Sequence, residues 1–225
     1  MVNHHLEQIA QAFFKSWFID FEPFDGVMPS DWKTQTLLEN DLCKVIGSGI
    51  NKFHNNKIYY ATANINGTAI SLGEEIKYNK RPSRANMEPT INSIWFAKMK
   101  NSPKHLFLNK EMNDFINASI LSTGFCGLQA NEKTFEYIST YIKLPIFEEL
   151  KDNYAKGTTQ EAINLSDLEK FSLIIPTDDV LDSFHSITKD IYSLISQNMN
   201  ENLKLIKLRD CLLPKLMSGE LSIID

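Results

Sequence analysis

The feature that most restricts the fold of this chain is a long helical pattern in its C-terminal part. The pattern begins at Thr177, directly after Pro176. The side chain of Thr177 can cap a helix, and Asp178 adds a carboxylate that suits the positive helix end. It continues without a break to Leu213, and Pro214 and a glycine then interrupt it. A helix over 178–213 would be about 54 Å long, which exceeds the width of a domain of about 150 residues. Part of it should therefore pair with another helix.

A heptad repeat runs along this predicted helix. Two sets of positions, each with a seven-residue period, form the repeat: Phe184, Ile191, Asn198, Leu205 and Leu212, and Ile187, Leu194, Glu201 and Leu208. Asn198 and Glu201 interrupt the apolar pattern at its middle. Because the midpoints of two antiparallel helices meet, these polar residues would face their own copies across a two-fold axis. The alternative is that this face of the helix points to solvent there.

A second amphipathic helix is predicted at the N-terminus, within a segment over 1–22. Its apolar residues form one stripe: Leu6, Ile9, Ala10, Phe13, Phe14, Trp17 and Phe18. Asn3 is the predicted N-cap and Pro23 ends the element. So large an apolar face on four helical turns needs a packing partner. The residues expected to serve helix packing or dimerisation are Phe13, Trp17, Phe184, Ile191, Leu194, Asn198, Leu205 and Leu208.

Residues 27–176 have the pattern of a mixed α/β domain. Short β-branched or aromatic runs predict strands: "KIYYATANI", "TAISL", "NSIWFAK", "ASILS" and "KFSLII". Helical pieces are predicted around 109–116, 132–143 and 145–152. The predicted fold class is α+β. One mixed α/β domain is flanked by an N-terminal helix and by a long, coiled-coil-like C-terminal helix, which together with its tail spans 177–218.

Charge is segregated along the chain. The net charge is −5, although eight cations and one acid, Glu88, lie between Lys77 and Lys110. That stretch therefore has a balance of +7 and leaves −12 for the rest of the chain. The cations are Lys77, Lys80, Arg81, Arg84, Lys98, Lys100, Lys104 and Lys110. A clustered basic stretch favours a nucleic-acid partner, and the alternative is a solvated face of a sheet or loop.

Sequence motifs of catalysis are missing. The chain has no Gly-x-Gly-x-x-Gly, no Walker loop and no Asn/Asp-Pro-Pro-aromatic signature of amino-methyltransferases. The five histidines lack the spacing of metal ligands. Glu75 and Lys77 fit the Glu-x-Lys half of a nuclease metal site, but the upstream Pro-Asp half is missing. We therefore predict no enzyme, no metal and no cofactor.

The predicted compartment is cytoplasmic. No window reaches the roughly 20 apolar residues that a membrane span needs, and the N-terminus lacks a secretory pattern. Cys43, Cys126 and Cys211 are odd in number and far apart, which argues against a disulfide framework.

Four segments resemble the specificity subunits of type I restriction–modification enzymes. "LEQIAQAFFKSWFIDFEPF" resembles the central spacer helix of that family. "STGFCGL" and "GTTQEAINLSDLEKFSLIIP" resemble its target-recognition domain, and the long helix that ends in "LRDCLLPKLMSGEL" resembles its C-terminal spacer helix. The matches follow the order of the family and cover nearly the whole chain, while residues 27 to 110 match only in general layout.

This resemblance implies a DNA-recognition subunit without catalytic activity of its own. Members of the family carry two recognition domains joined by two antiparallel spacer helices, and each domain reads one half of a split DNA target. The spacer sets the distance and docks methyltransferase subunits, which in turn connect to the restriction subunits. This sequence has one recognition domain and one copy of each helix, and so resembles the second half of a full subunit. A homodimer through the terminal helices would restore the missing half, with a palindromic target.

The basic stretch supplies the chemistry that duplex DNA requires. Cations bind phosphates, Arg can bond to guanine and Asn to adenine. We assign Lys77, Lys80, Lys98, Lys100 and Lys104 to phosphates, and Arg81, Arg84 and Asn86 to base edges. Tyr59, Tyr60 and Asn64 are further candidates, and the resemblance places Thr158, Thr159 and Gln160 in a loop near the DNA.

Two alternatives to a DNA reader stay open. The chain could be a non-DNA-reading assembly scaffold, or an inactive half-subunit, that binds the methyltransferase. It could also be a nuclease, on the strength of the Glu-x-Lys motif alone.

Overall fold

A computed structural model describes residues 2–158 and 160–220 of the chain. It has five α-helices, which are α1 (Val2–Phe18), α2 (Asn113–Ala118), α3 (Phe135–Lys143), α4 (Pro145–Tyr154) and α5 (Asp178–Met217). The first six strands are β1 (Lys33–Thr36), β2 (Cys43–Val45), β3 (Lys57–Tyr60), β4 (Ile65–Asn66), β5 (Ala69–Ile70) and β6 (Glu74–Ile76). The other six are β7 (Ala85–Met87), β8 (Ser93–Ala97), β9 (His105–Leu108), β10 (Ser119–Ser122), β11 (Phe125–Ala130) and β12 (Ser172–Ile175). The α+β class and the two terminal helices are as the sequence predicts.

Two four-stranded sheets form the body between the terminal helices. One has the order β6-β3-β10-β7, in which β3 and β10 are parallel, and the other is the antiparallel sheet β2-β11-β8-β9.

A close approach inside the second sheet explains a glycine of the "STGFCGL" motif. Gly127 lies opposite Trp95, and a Cβ at Gly127 would come within 2.4 Å of the indole ring. Trp95 can stay fully buried only because this position has no side chain.

The chain enters and leaves this body at one place. β1 pairs antiparallel with β12, so that Lys33 lies opposite Ile175, one residue before the Pro176–Thr177 link to α5. Trp32 precedes β1 and packs its ring 5.7 Å from that of Phe18, at the end of α1. The two terminal helices are therefore joined to the body through neighbouring strands.

The terminal helices pack antiparallel through an aromatic cluster. The ring of Phe184 on α5 lies 6.1 Å from Phe14 and 5.2 Å from Phe18 on α1, and 6.2 Å from Tyr137 on α3. At the other end of the contact, Asn3 on α1 reaches α5. All four rings are fully or almost fully buried, so this cluster belongs to the main core of the molecule.

The face of α5 that packs against the body is not the predicted heptad face. Its buried residues are Leu181, Phe184, Thr188, Tyr192, Ile195, Ser196, Met199 and Leu203. Leu181, Tyr192 and Leu203 are eleven apart, a spacing that suits a straight helix better than a seven-residue period does. Of the predicted heptad residues only Phe184 is buried, while Ile191 and Asn198 are half-buried and the others are exposed.

Several predicted boundaries were wrong. α5 continues through Pro214 to Met217: the φ that the proline ring fixes is a helical one, and its disruption of the hydrogen bonding falls only one turn before the helix ends. Asn3 is not an N-cap, since it lies inside α1 and its amide donates to the carbonyl of Ile195. Six strands were not predicted, among them the polar β1, which tertiary pairing with β12 makes extended.

Candidate nucleic-acid interface and exposed helix surface

Several strands end at the same edge of the body and bring their loops together. Leu121 at the end of β10 pairs with Tyr60 at the end of β3, and Ser122 pairs with the start of β7. The amide of Thr123 donates to the carbonyl of Arg84 at 2.9 Å, and the amide of Lys98 donates to the carbonyl of Gly124 at 3.0 Å. We call this edge the strand-end surface: Thr62, Arg84, the Thr123–Gly124 turn and the β8–β9 turn over 98–104.

The loop over 157–161 lies beside the strand-end surface. The amide of Lys100 donates to the carbonyl of Glu161 at 2.9 Å, and the amide of Ile163 donates to the carbonyl of Lys98 at 3.0 Å. Gly157 begins the loop at φ 142°, and a Cβ there would lie 2.4 Å from the carbonyl oxygen of Gln160. The loop is thus tightly turned, and its backbone is bonded to the lysine-bearing strand.

Five of the predicted DNA-binding residues meet at this edge: Arg84, Lys98, Lys100, Lys104 and Gln160. Arg84 and Gln160 are exposed, and the three lysines are half-buried. The ammonium of Lys100 pairs with the carboxylate of Glu161 at 2.8 Å, and that of Lys104 donates to the carbonyl of Thr62 at 2.8 Å. Of these five side chains, those of Lys100 and Lys104 are therefore already bonded within the chain.

The remaining basic residues lie elsewhere. Ile76 pairs with Lys57 at the start of β3, the end that is farthest from the strand-end surface. Lys77 therefore lies at that opposite edge, and an exposed loop that contains Lys80 connects it to Arg84. The guanidinium of Arg81 stacks on the ring of Tyr78 at 4.2 Å and donates to its carbonyl at 2.8 Å.

Asn86, predicted as a base reader, is a half-buried residue of β7. Thr159 lies outside the described residues. Three further candidates for DNA contact are buried or bonded within the chain. Tyr59 and Tyr60 are both buried, because each face of their strand is covered, and the amide of Asn64 bonds within its own loop, to Ala61 and Leu72.

Sequence reasoning missed one cation at this edge. Lys156 is exposed and its backbone pairs with Ala162, across the base of the 157–161 loop. The signal was its position directly before the "GTTQ" segment, outside the stretch in which cations were counted.

A buried charged group lies beneath the β8–β9 turn. The fully buried ammonium of Lys151 donates to the carboxylate of Glu148 at 2.5 Å and to the carbonyl of Ser102 at 3.0 Å. The Nε2 atom of His105 lies 2.9 Å from the other oxygen of Glu148. Next to them, Asp152 accepts a hydrogen bond of 2.9 Å from the amide of Asn101.

Burial and hydrogen bonding set the charge states of this group. Burial lowers the pKa of His105, although the carboxylate of Glu148 opposes the change. Burial alone would raise the pKa of Glu148, but the hydrogen bonds from His105 and Lys151 outweigh it and keep that pKa below its usual value. At neutral pH Glu148 is therefore a carboxylate and His105 a neutral imidazole.

The terminal helices expose a set of apolar side chains, which we call the exposed helix surface. Its members on α1 and α5 are Ile9, Phe13, Ile187, Leu194, Leu205, Leu208, Leu212, Leu213 and Leu216, each at least 36% exposed. Leu205, Leu208 and Leu212 also line a groove between α5 and the β4–β5 segment of the body. Trp17 and Ile191 are half-buried at its border. Phe13 and Leu194 were expected to join the two helices; they instead belong to this surface, because Phe14 and Phe18 hold α1 against α5.

Asn198 has a partner within the chain. Its side-chain amide donates to the side-chain carbonyl of Asn3 at 2.8 Å, which ties the first turn of α1 to α5. This replaces the expectation that Asn198 faces its own copy. Glu201, the other polar residue of the heptad pattern, is exposed.

Over the described residues, no group of three or more His, Cys, Asp or Glu side chains is placed to hold a metal ion. Within the same ranges, no helix has both the length and the apolar character to cross a membrane.

Comparison with known proteins gives consistent matches, although no protein-family model matches the chain. The chain is 31% identical over 240 residues to the type I restriction enzyme MjaIX specificity subunit of Methanocaldococcus jannaschii, covering 98% of this chain and 54% of that protein. It is 23% identical over 287 residues to the type I restriction enzyme HindI specificity subunit of Haemophilus influenzae, covering 98% of this chain and 62% of that protein. It therefore spans roughly half the length of these relatives.

A solved structure has a similar fold. The HsdS subunit from Thermoanaerobacter tengcongensis superposes with a TM-score of 0.55 and 19% sequence identity, over 86% of this chain and 47% of that one. At this identity the likeness concerns the arrangement of helices and strands.

Proposed function

Because this chain belongs to the family of type I restriction enzyme specificity subunits, we propose that it reads one half of a split DNA target and docks methyltransferase subunits. It does so without catalysis of its own, and the restriction subunits join through the methyltransferase. The body over 27–176 is the target-recognition domain. The segments 1–22 and 177–218, which contain α1 and α5, are the spacer.

The strand-end surface is the observation that supports DNA reading best. Arg84 and Lys156 are exposed there, Lys98 is half-buried, and Gln160 offers an amide that can bond to adenine. Lys100 and Lys104 add two further cations within the same edge, and phosphate oxygens can take over their present bonds to Glu161 and Thr62. This combination of cations and an amide supplies both backbone positioning and base contacts.

A binding experiment tests this proposal. Duplex DNA should bind with an affinity that falls steeply as salt is raised, because bound cations release counterions from the phosphates. The double variant Arg81→Ala with Arg84→Ala should lose this binding, while Lys189→Ala, an exposed cation on α5, should not. Salt-independent or undetectable binding by the unmodified protein, with its methyltransferase present, would contradict the proposal.

The alternative is an assembly scaffold that binds the methyltransferase but not DNA. It is favoured by the intrachain bonds of Lys100 and Lys104, which leave fewer free cations than the sequence suggests. In that case the methyltransferase would still co-purify with the chain, and the double arginine variant would change nothing. A nuclease is excluded if purified protein with magnesium leaves DNA intact.

The exposed surface of the terminal helices is the proposed homodimer interface. In an antiparallel dimer, the heptad residues Leu194, Leu205 and Leu208 would pack against a second copy, and the target would be palindromic. Size-exclusion chromatography with light scattering tests the dimer. A strict monomer at micromolar concentration would rule out a self-sufficient dimer and leave the methyltransferase as the partner of this surface.

A further inference from the structure

Three side chains of α4 contact the β8–β9 turn and the residue that follows it. Lys151 donates to the carbonyl of Ser102 at 3.0 Å, Asp152 accepts from the amide of Asn101 at 2.9 Å, and Glu148 bonds to His105, where the turn ends. Asn101 has a φ of 53°, a left-handed conformation that asparagine adopts more readily than most residues with a side chain. The contacts from α4 therefore fix where this turn lies relative to the helix.

The same helix leads directly into the 157–161 loop. α4 ends at Tyr154, and the backbones of Glu161 and of Ile163, just beyond the loop, then bond to Lys100 and Lys98 in the β8–β9 turn. The turn is thus bonded both to α4 and to the segment that ends the loop.

Burying the ammonium of Lys151 is an energetically unfavourable way to join α4 to the β8–β9 turn. Removing Lys151 from water is unfavourable before its bonds to Glu148 and Ser102 are counted, and apolar side chains in place of a whole buried ion pair often serve stability as well. The arrangement is better explained by geometry, since directional bonds to a carbonyl and a carboxylate define where the turn lies.

We propose that Glu148, Lys151 and Asp152 are positioning residues for DNA binding. They hold the β8–β9 turn and the 157–161 loop in one fixed arrangement, so that Lys98, Lys100 and Gln160 meet the duplex together. This inference rests on the proposed function. None of the three touches DNA itself, because they act through the backbone of the turn.

Two variants of Asp152 separate positioning from charge. Asp152→Asn and Asp152→Ala remove the same negative charge, but only the asparagine keeps an oxygen that can accept from the amide of Asn101. Affinity for a fluorescent duplex of random sequence is measured for the full chain with its methyltransferase. Thermal unfolding and hydrogen exchange of the Asn101 amide are measured alongside. Lys151→Met is a third variant, which keeps the aliphatic stem and removes the ammonium.

We expect Asp152→Ala to bind the duplex about two- to tenfold more weakly than Asp152→Asn, as the loss of one hydrogen bond implies. The Asn101 amide should exchange faster in the alanine variant, and the asparagine should restore protection. Lys151→Met should also bind more weakly, and its thermal unfolding should fall, because the carboxylate of Glu148 loses its buried cation.

Equal affinities of the two Asp152 variants, with the unmodified protein binding normally, would overturn the inference and leave the proposed function standing. If the unmodified protein does not bind the duplex at all, the proposed function fails, and the positioning role falls with it. A loss of affinity that is matched by global unfolding in all three variants would also overturn it, because the residues would then be structural only.

Discussion

His105 is the residue whose surroundings depend most on protonation. It is almost fully buried, its Nε2 atom faces the carboxylate of Glu148, and its Nδ1 atom has no hydrogen-bond partner among the described residues. The ammonium groups of Lys143 and Lys151 also disfavour a positive charge on the imidazole. The native protein therefore keeps His105 neutral to a lower pH than an unfolded chain would.

This difference predicts a pH dependence of stability. In the unfolded chain a histidine binds a proton near pH 6.5, whereas the native chain resists protonation of His105 until the pH is lower. The stability from this group is therefore present above pH 6.5 and is lost as the pH falls below it. Thermal unfolding between pH 7.5 and 5.5 should show a smaller drop in Tm for His105→Gln than for the unmodified protein. The matched control is His54→Gln, an exposed histidine, and an equal drop in all three proteins would contradict the prediction.

Arg84 is the arginine best placed to touch DNA, because its side chain is exposed and its backbone is fixed by the Thr123 amide. If it bonds to a guanine, Arg84→Ala should cost about 1–3 kcal/mol of binding free energy at one base position of the target. Methylome sequencing of a host that expresses the variant with its methyltransferase measures this as relaxed specificity at one position. A uniform loss of methylation at every site would instead indicate a phosphate contact.

Single residues also mark how far sequence reasoning reaches. Arg84 and Gln160 could be predicted as exposed because cations and amides in loops face solvent. Tyr59 and Tyr60 could not be sorted by alternation, since Tyr60 packs 4.9 Å from Phe115 in the main core while Tyr59 joins a second cluster with Ile76. The sequence shows that Glu148 and Lys151 can pair at a spacing of three on a helix, but not that Lys151 is buried, because the turn that covers it is distant in the chain.

Among the elements, α5 is the one with two different apolar faces. The existence and type of this helix followed from its sequence, but the face that packs against the body did not. The apolar residues of α5 show both an eleven-residue and a seven-residue spacing. Contacts with the body determine which of the two faces is buried, and the helix sequence alone does not contain them. The face with the heptad period is left exposed at Ile187 and Leu194.

The two faces of α5 predict opposite results for truncation. Phe184→Ala should lower the free energy of unfolding by about 3–5 kcal/mol, because it empties a fully buried site between α1 and α3. Leu194→Ala, at 43% exposure, should change it by no more than about 0.5 kcal/mol at low protein concentration. Chemical denaturation of both variants measures the difference. Similar losses would mean that the heptad face also packs within the chain.

At the scale of the whole molecule, α5 extends beyond what the body covers. Its 40 residues correspond to about 60 Å, and Leu203 is the last buried residue. The final stretch over 204–217 exposes Leu205, Leu208 and other apolar side chains, and only Ile206 is half-buried. An apolar surface of this length favours association with a partner.

This exposed stretch predicts the outcome of a charge substitution. Leu205→Glu combined with Leu208→Glu should convert a dimer into a monomer in light scattering, because two carboxylates would be buried at the interface without cations. The fold should be unchanged, since neither side chain is buried in the single chain. Lys204→Gln with Lys207→Gln changes the net charge by the same amount at exposed polar positions of the same helix and should leave the proposed dimer in place.

The pairing of β1 with β12 makes the body a continuous insert between the two terminal helices. Lys33 and Ile175 lie opposite each other, so the chain segment between them begins and ends at one place, close to the end of α1 and the start of α5. Under the proposed function, genetic exchange within that interval would replace the whole strand-end surface while the packing of α1 against α5 stays the same. A new DNA specificity would then require exchange of one continuous stretch of coding sequence only.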